Sequence, residues 1–257
     1  MKIAIIGAGV YGTALGGVLE ERGYEIAYYD PYVYKTTLEE VLAGSEMVLE
    51  VVPSAVLEDT LRELPKDKPL IVATKGILSG KVFDGFNDVM VLSGPGFADD
   101  IKAHKETFLT VTDERLKEMF GVGYITFDYT RDVKGVLMCG ALKNVYAILA
   151  GYFGLLPGAD GYEKFIMEVV EEMQALLVAN GADPEVVKLY CGIGDLRLTC
   201  DMPSRNYQYG MRLKTGDGAQ SEGTVEGLSA LRLIRSGVIT VPKMAVKLKE
   251  LMKIIWG

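Results

Sequence analysis

The hydrophobic positions in the first half of the chain form short apolar runs separated by amphipathic ones. Residues 2–6 (Lys-Ile-Ala-Ile-Ile) are apolar and rich in β-branched side chains, which is typical of a strand buried on both faces. Residues 107–129 have the pattern strand, short helix, strand and are expected to complete a sheet. Repeated strand–helix–strand units predict a parallel sheet with right-handed connections. The other predicted strands are 25–29, 47–52, 70–73 and 89–92, with helices at 10–21, 37–43 and 54–64.

From about residue 131 the strand patterns end and helical periodicity continues alone. Apolar side chains recur at helical spacing over 165–177, with Glu168, Glu171 and Glu172 placed on the opposite face. We interpret the apolar positions as core and give them no functional role. The change of pattern predicts a domain boundary near residue 130.

A glycine motif follows the first predicted strand and opens the first predicted helix. Gly7, Gly9 and Gly12 have the spacing GxGxxG. In a dinucleotide-binding turn the first glycine permits the tight turn, the second lets the backbone approach a pyrophosphate, and the third lets helix and strand pack closely. The helix N-terminus would hold the phosphates on its backbone N–H groups. A generic glycine turn is the alternative. The context favours a Rossmann-type fold that binds NAD or NADP.

The second predicted strand ends in Asp30. A carboxylate at this position accepts hydrogen bonds from the ribose hydroxyls and repels a 2′-phosphate, so Asp30 favours NAD over NADP. Lys35 nearby weakens that preference. The alternative role of Asp30 is to cap the turn at Pro31.

Ligands of parallel sheets bind beyond the carboxyl ends of the strands. The predicted strand ends are followed by Val52-Pro53-Ser54, Thr74-Lys75-Gly76 and Ser93-Gly94-Pro95-Gly96. Lys75 is the positively charged residue in these three segments, so it is a candidate site residue. The alternative is that it is a solvent-exposed lysine in a loop.

Composition narrows the class of protein. The chain has 257 residues, of which 49% are hydrophobic and 24% charged, so it is expected to fold as a globular protein. Its formal net charge of −8 argues against nucleic acid as the main partner. Three cysteines without CxxC spacing and a single histidine indicate neither a disulfide framework nor a metal site. A strand pattern from residue 2 indicates no signal peptide, and we expect a cytoplasmic protein without a membrane span.

A lysine lies in the middle of an apolar helical segment in the second half. Lys143 and Asn144 are the strongly polar residues of the pattern over 135–150. Burial would disfavour the ammonium form and lower the pKa of Lys143, which suits a group that exchanges protons near neutral pH. The alternatives are that Lys143 extends to the surface or pairs structurally with an acid.

Two polar clusters follow in a glycine-rich region. Asp195 lies in Gly-Ile-Gly-Asp and is a candidate partner for the lysine. Ser204, Arg205 and Asn206 form a compact group of hydrogen-bond donors in which the arginine could bind a phosphate. A helix N-cap followed by a surface arginine is the alternative for this group.

The segments GAGVYGTAL, ATKGI, SGPGFADD, GVLMCGALKNVYAI, GIGDLRLTC, PSRN and SEGTVEG occur in the order found in NAD(P)-dependent glycerol-3-phosphate dehydrogenases. The chain resembles this family from residue 3 to about 250, and CGALKN and GDLxLTC followed by SRN are its most specific motifs. The implied fold class is α/β, with an N-terminal Rossmann-type parallel sheet domain over 1–130 and an all-α C-terminal substrate domain over 131–257. The implied reaction is the NAD(P)H-dependent reduction of dihydroxyacetone phosphate to sn-glycerol 3-phosphate, which feeds phospholipid synthesis.

The resemblance also implies roles for individual residues. Lys143 matches the catalytic lysine, with Lys75 and Asp195 beside it as further catalytic candidates. The expected substrate-binding residues are Lys75, Gly94, Asn144, Asp195, Thr199, Ser204, Arg205 and Asn206. The expected cofactor-binding residues are Gly7, Gly9, Val10, Tyr11, Gly12, Asp30, Lys75, Ala98, Arg205 and Glu222. A phosphorylated small molecule is the expected partner, and a homodimer is possible in this family.

The chain departs from the family's pattern in several places. It is shorter, chiefly between Asp30 and Met47 and at the C-terminus, which opens the question of NAD or NADP preference. Gly96 and Leu137 replace the residues usual at their positions. Two other functions remain open: reduction of another small carbonyl or imine, and a dinucleotide-binding regulator without catalysis.

Overall fold

The computed structural model describes residues 1–76, 79–216 and 225–257. The chain divides into two compact units. The first comprises Met1–Thr74 and Lys81–Val133, and the second comprises Lys75–Gly80 and Lys134–Gly257. The segment Lys75–Gly80, which lies inside the domain predicted over 1–130, therefore groups with the helical unit.

The described residues of the first unit form a seven-stranded sheet with the order β2-β1-β3-β4-β5-β6-β7. Its central strands are almost wholly buried because helices cover a parallel sheet of this kind on both faces. The strands are β1 (Lys2–Ile6), β2 (Glu25–Tyr29), β3 (Met47–Glu50), β4 (Leu70–Val72), β5 (Val89–Ser93), β6 (Thr107–Val111) and β7 (Ile125–Tyr129).

The predicted parallel sheet is confirmed, but one pair of strands departs from it. Neighbouring strands pair in parallel except β5 and β6, which are antiparallel. The chain turns sharply after β5, where Gly94 has a φ of +155° and the Gly96 N–H donates to the Gly94 carbonyl. A residue with a Cβ is strained in this backbone conformation, so a glycine is required at the reversal.

The predicted helices of the first unit connect these strands with small shifts at their ends, and one further helix, Ala98–Lys102, was not predicted. The predicted helix over 54–64 begins as a 3₁₀ turn, Ser54–Val56, before α3. Helix α1 buries Ala14, Leu15, Val18 and Leu19 in the same core as Ile3 and Ile5 of β1. The helices are α1 (Val10–Glu21), α2 (Leu38–Leu42), α3 (Leu57–Glu63), α4 (Ala98–Lys102) and α5 (Glu114–Phe120), with a further 3₁₀ turn at Gly80–Phe83.

The described residues of the second unit form helices joined by turns and loops, without a strand. Its central helix, α6 (Val133–Phe153), is long and apolar enough to cross a membrane, but 89% of its most apolar window is buried inside the protein. The other helices are α7 (Tyr162–Ala179), α8 (Asp195–Thr199), α9 (Arg205–Thr215), α10 (Glu226–Arg235) and α11 (Val246–Trp256), with a 3₁₀ turn at Pro184–Lys188 and a π-helical turn at Tyr190–Gly194.

Close backbone contacts explain why α6 is so well buried. A Cβ on Gly151 of α6 would lie 1.9 Å from the Tyr207 carbonyl oxygen of α9. A Cβ on Gly210 of α9 would lie 1.9 Å from the Ile148 carbonyl oxygen of α6. The two helices therefore cross where each has a glycine against the other's backbone.

Glu172 does not lie on the exposed face predicted for it. Its side chain is buried and accepts hydrogen bonds from the Tyr146 hydroxyl (3.0 Å) and from the backbone N–H groups of Lys247 (2.6 Å) and Leu248 (3.2 Å). These N–H groups begin α11, and the first N–H groups of a helix have no partner within it. Glu172 therefore caps α11 from α7, a long-range role that helical periodicity does not reveal.

Candidate active site

The glycine motif forms the turn between β1 and α1 in the first unit. Gly7 has a φ of +104°, and a Cβ there would lie 2.5 Å from the Val51 carbonyl oxygen. A Cβ on Gly12 would lie 2.0 Å from the Gly7 carbonyl oxygen. Both glycines are therefore required by packing within the turn.

Gly9 differs from these two glycines. It is the N-cap of α1 with no side-chain cap, and a Cβ there would meet no atom within 4 Å. The Val10 side chain beyond it is 61% exposed, and Tyr11 belongs to the same first turn. The open space over a 12-residue helix N-terminus fits a phosphate group, because backbone dipoles there favour negative charge.

Asp30 follows β2 and is fixed against the glycine turn. One carboxylate oxygen, Oδ2, accepts from the Ala8 N–H (3.0 Å), and Oδ1 accepts from the Tyr32 N–H (3.0 Å). The bond to Tyr32 is the turn-capping role that the sequence left open. A carboxylate has about four lone-pair sites, so Asp30 retains acceptor capacity for ribose hydroxyls. The first unit thus fits a dinucleotide, NAD or NADP.

Gly94 and Ala98 lie beyond β5 in the same unit. A Cβ on Gly94 would lie 2.5 Å from the Phe108 carbonyl oxygen, so this glycine is required where the chain reverses. Ala98 is the first residue of α4. The predicted cofactor contact Glu222 lies outside the described residues.

The second unit contains a buried cluster of two lysines and one carboxylate. Lys143 on α6 and Asp195 at the start of α8 are 3% and 1% exposed, and they form an ion pair through Nζ and Oδ2. The Lys75 Nζ lies 3.3 Å from the same Oδ2 atom and is more exposed than Lys143. The burial predicted for Lys143 is confirmed.

Local structure explains why Asp195 is directed inward. The preceding turn is kinked at Gly192, where a Cβ would lie 2.1 Å from the Val187 carbonyl oxygen. The Thr199 hydroxyl donates to the Asp195 carbonyl (2.6 Å) and lies 3.5 Å from Oδ1. The glycine-rich sequence before Asp195 is therefore needed for the chain to pass close to Val187.

The electrostatic balance of the cluster sets the proton affinity of Lys143. Burial is the largest effect and lowers the pKa of Lys143 to about 7. The Asp195 carboxylate opposes this shift, whereas the neighbouring Lys75 ammonium adds to it. An amine with a pKa near neutrality can both donate and accept a proton under physiological conditions.

Asn144 and Asn206 form a chain of hydrogen bonds between helices. The Asn206 amide donates to Asn144 Oδ1 (2.9 Å), and Asn206 Oδ1 accepts from the Gly227 N–H (2.9 Å). The Asn144 amide donates to the Gly140 carbonyl (3.2 Å). Both side chains are buried, and their hydrogen bonds connect α6, α9 and the start of α10.

Ser204 and Arg205 have different surroundings although they are adjacent. The Ser204 hydroxyl accepts from the Tyr207 N–H (3.4 Å) and caps α9. Arg205 is exposed, and the described part of the chain gives its guanidinium no ion pair. The structure thus places the three predicted donors in three environments: a helix cap, an exposed cation and an interhelical bridge.

A first unit with a dinucleotide-binding glycine turn followed by Asp30 beyond β2, and a helical unit with a buried lysine, are the features of a dinucleotide-dependent oxidoreductase. Comparison with known proteins agrees with this class. The family model for the NAD-dependent glycerol-3-phosphate dehydrogenase N-terminus matches residues 31–119, and that for the C-terminus matches residues 132–253.

Individual relatives agree with the family models. A glycerol-3-phosphate dehydrogenase [NAD(P)+] of Leptospira biflexa is 31% identical over 93% of this chain and 86% of the relative. One of Brucella ovis is 32% identical over 94% of this chain and 90% of the relative. The crystal structure of glycerol-3-phosphate dehydrogenase from Coxiella burnetii has a TM-score of 0.81 and 25% identity, covering 99% of this chain and 94% of that one. The chain belongs to the NAD-dependent glycerol-3-phosphate dehydrogenase family.

Proposed function

We propose that this protein catalyses the reversible, NAD(P)H-dependent reduction of dihydroxyacetone phosphate to sn-glycerol 3-phosphate. The observation that carries the proposal is the pair of lysines, Lys143 and Lys75, on one buried carboxylate oxygen of Asp195. This arrangement supplies a proton and positive charge at the same place, which reduction of a ketone requires.

The dinucleotide, held by the glycine turn and Asp30, supplies the hydride when it is bound. Lys143 gives its proton to the alkoxide that develops from the ketone, and it takes the proton back in the oxidation direction. Asp195 orients the amine. After proton transfer, a neutral Lys143 with a charged Lys75 and Asp195 leaves the cluster with no net charge, which suits a buried site.

Arg205 is the candidate phosphate ligand because it is an exposed guanidinium on the helical unit. Its planar donors can form two parallel hydrogen bonds to a phosphate, and binding energy at this remote group helps to orient the carbonyl. Asn144 and Asn206 support the site by holding α6, α9 and α10 together. Ser204 and Thr199 act in the same way by fixing the start of α9 and the α8 turn around Asp195.

NAD is the proposed cofactor because Asp30 would repel a 2′-phosphate, although NADP is open in this family. We also propose that the protein is cytoplasmic and forms a homodimer. Its product would enter phospholipid synthesis, as the family resemblance implies.

Reduction of a carbonyl or imine without a phosphate is the second candidate. The observation that favours it concerns the predicted phosphate-binding group Ser204, Arg205 and Asn206. Ser204 and Asn206 form hydrogen bonds within the protein, so only Arg205 of this group is left to bind a phosphate. A regulator without catalysis is less well supported, since it would not need a buried Lys143–Asp195 pair.

A spectrophotometric assay tests the proposal. NADH oxidation is followed with dihydroxyacetone phosphate, dihydroxyacetone, a 2-ketoacid and a cyclic imine, with NADPH in parallel. The expected result is rapid turnover of the phosphorylated ketone alone, and Arg205→Ala should raise its KM by tenfold or more with a smaller change in kcat. Turnover of an unphosphorylated compound with an unchanged KM in the variant would favour the second candidate, and no turnover would favour the regulator.

A further inference from the structure

A second buried carboxyl group lies in the first unit, at the end of β3. Glu50 is fully buried, and its register partners on β1 and β4 are the apolar residues Ile6 and Val72. The next α-helix along the chain, α3, buries Leu57 and Leu61.

Polar contacts reach only one oxygen of this carboxyl group. Glu50 Oε1 accepts from the Val52 N–H (2.7 Å) and lies 2.5 Å from the Thr74 hydroxyl. Its other oxygen, Oε2, is buried and has no hydrogen-bond partner among the residues that the structure describes. Within the described residues no ion pair involves Glu50, and the charged side chains of α3, such as Arg62 and Asp59, pair with each other at the surface. A buried carboxylate without a cation and with one oxygen unsatisfied is unfavourable.

Counting hydrogens indicates the form that Glu50 takes. The Thr74 oxygen lies 2.5 Å from Glu50 Oε1 and 2.6 Å from the Val52 carbonyl oxygen. Two such contacts between oxygens require two protons, but the threonine hydroxyl has one. A protonated Glu50 supplies the second: it donates to Thr74, which donates to the Val52 carbonyl.

The position of this chain of hydrogen bonds connects it with the dinucleotide-binding end of the sheet. Val52 begins the turn after β3, and Thr74 follows β4. Val51 donates to the Ile6 carbonyl (2.9 Å), and its own carbonyl oxygen packs against the Gly7 turn. Glu50 therefore joins the ends of two strands at the edge where such sheets bind ligands.

We propose that Glu50 is a neutral carboxylic acid in the folded protein at mildly acidic pH and a positioning residue for the dinucleotide-binding turn, acting through Thr74 and Val52. The described residues place no cation against this carboxyl group, which agrees with the neutral form, and burial raises the pKa of Glu50 to about 7. The protonation state does not depend on the proposed reaction, whereas the positioning role rests on dinucleotide binding by the first unit.

Infrared spectroscopy of the folded protein tests the protonation state. At pH 6 the wild-type protein should show the C=O stretch of a protonated carboxyl group, which is lost on titration to pH 8 and is absent from Glu50→Gln. Glu63→Gln, the same change at an exposed position of α3, is the matched control and should keep the band. Absence of a titrating band in the wild-type protein would overturn the proposal even if Glu50→Gln does not fold.

Stability gives an independent readout. Because the folded protein holds a proton that the unfolded chain releases above its ordinary glutamate pKa, the folding equilibrium constant should fall by up to tenfold per pH unit between pH 5 and 7. Glu50→Gln should remove this part of the pH dependence, and Glu63→Gln should not. Equal slopes in all three proteins would contradict the neutral form.

The positioning role is tested by direct binding of NADH, followed by its fluorescence without substrate. Thr74→Val removes the central hydroxyl and should raise the Kd several-fold, whereas Thr74→Ser retains the hydroxyl and should bind as the wild type does. If Thr74→Val binds NADH normally, the positioning role is wrong. Failure of the proposed reaction would not change this result, because no substrate is used.

Discussion

The two units build their functional parts from different atoms. The dinucleotide-binding end of the first unit consists mainly of backbone groups made accessible by glycines, with Asp30 as its carboxylate. The lysine cluster of the second unit consists of side chains: Lys143 and Asp195 are buried, and the partly exposed Lys75 shares the same carboxylate oxygen. A site built from backbone should be damaged when atoms are added, and a site built from side chains should be damaged when atoms are removed.

Removal of the central amine should give the largest effect. Lys143→Ala eliminates the proton donor, for which general acid catalysis typically accounts for about 10²- to 10⁴-fold in rate. We expect kcat for ketone reduction to fall by this amount, measured by NADH oxidation, with NADH affinity nearly unchanged. Lys164→Ala, at an exposed position of α7, is the control. A Lys143 variant within threefold of the wild type would remove this residue from the proposed role.

Replacing glycine by alanine should distinguish the glycines that packing requires from the one assigned to the phosphate site. Gly12→Ala places a Cβ 2.0 Å from a backbone oxygen and should destabilise the protein by about 1–3 kcal/mol, as overpacking typically does. In Gly9→Ala the added Cβ meets no atom of the described residues within 4 Å, so the variant should preserve the unfolding midpoint while weakening NADH binding by about tenfold or more. The measurements are thermal unfolding and NADH fluorescence.

Gly17→Ala is the matched control for both variants, because Gly17 is an exposed position of α1 where a Cβ has open space. Alanine there should stabilise the helix by up to about 1 kcal/mol and leave NADH binding unchanged. Equal NADH affinity in Gly9→Ala and Gly17→Ala would contradict the assignment of Gly9 to the phosphate site.

The rate of the reaction should depend on pH through the protonation of Lys143 in the lysine cluster. Since its pKa is about 7, reduction should slow by up to about tenfold per pH unit above pH 7, where the amine loses its proton. Oxidation should slow below pH 7 for the converse reason. Asp195→Asn removes the charge that raises the pKa of Lys143, so the inflection should move to lower pH. An inflection that stays in place in this variant would assign it to another group.

The sequence predicted elements whose signals are local. The apolar strands, the glycine turn and Asp30 are adjacent along the chain, so spacing alone indicated the Rossmann-type unit. Burial of Lys143 followed from the apolar residues around it on one helix. Its glycine-rich turn made Asp195 a candidate partner for the lysine, the family resemblance implied an active-site role, and the structure gives the physical reason in the shared Oδ2 atom.

Other features could not be predicted because they depend on residues distant in the chain. Glu172 has the periodicity of an exposed residue, but it caps α11 about 75 residues later. Asn206 was expected to contact substrate, and its partners are Asn144 and Gly227. Glu50 attracted no functional interpretation, because the sequence does not show that its carboxyl group is buried without a cation beside it.

The sequence by itself determined which segments form strands and helices, where a dinucleotide can bind, and which amine must be buried. These follow from steric and hydrophobic preferences that act within a few residues of the chain. The tertiary structure decided the antiparallel pairing of β5 with β6, the partners of every buried polar group, and the proton affinities of Lys143 and Glu50. Those properties depend on which charges and hydrogen-bonding groups the fold brings within a few ångströms, and on how completely it excludes water from them.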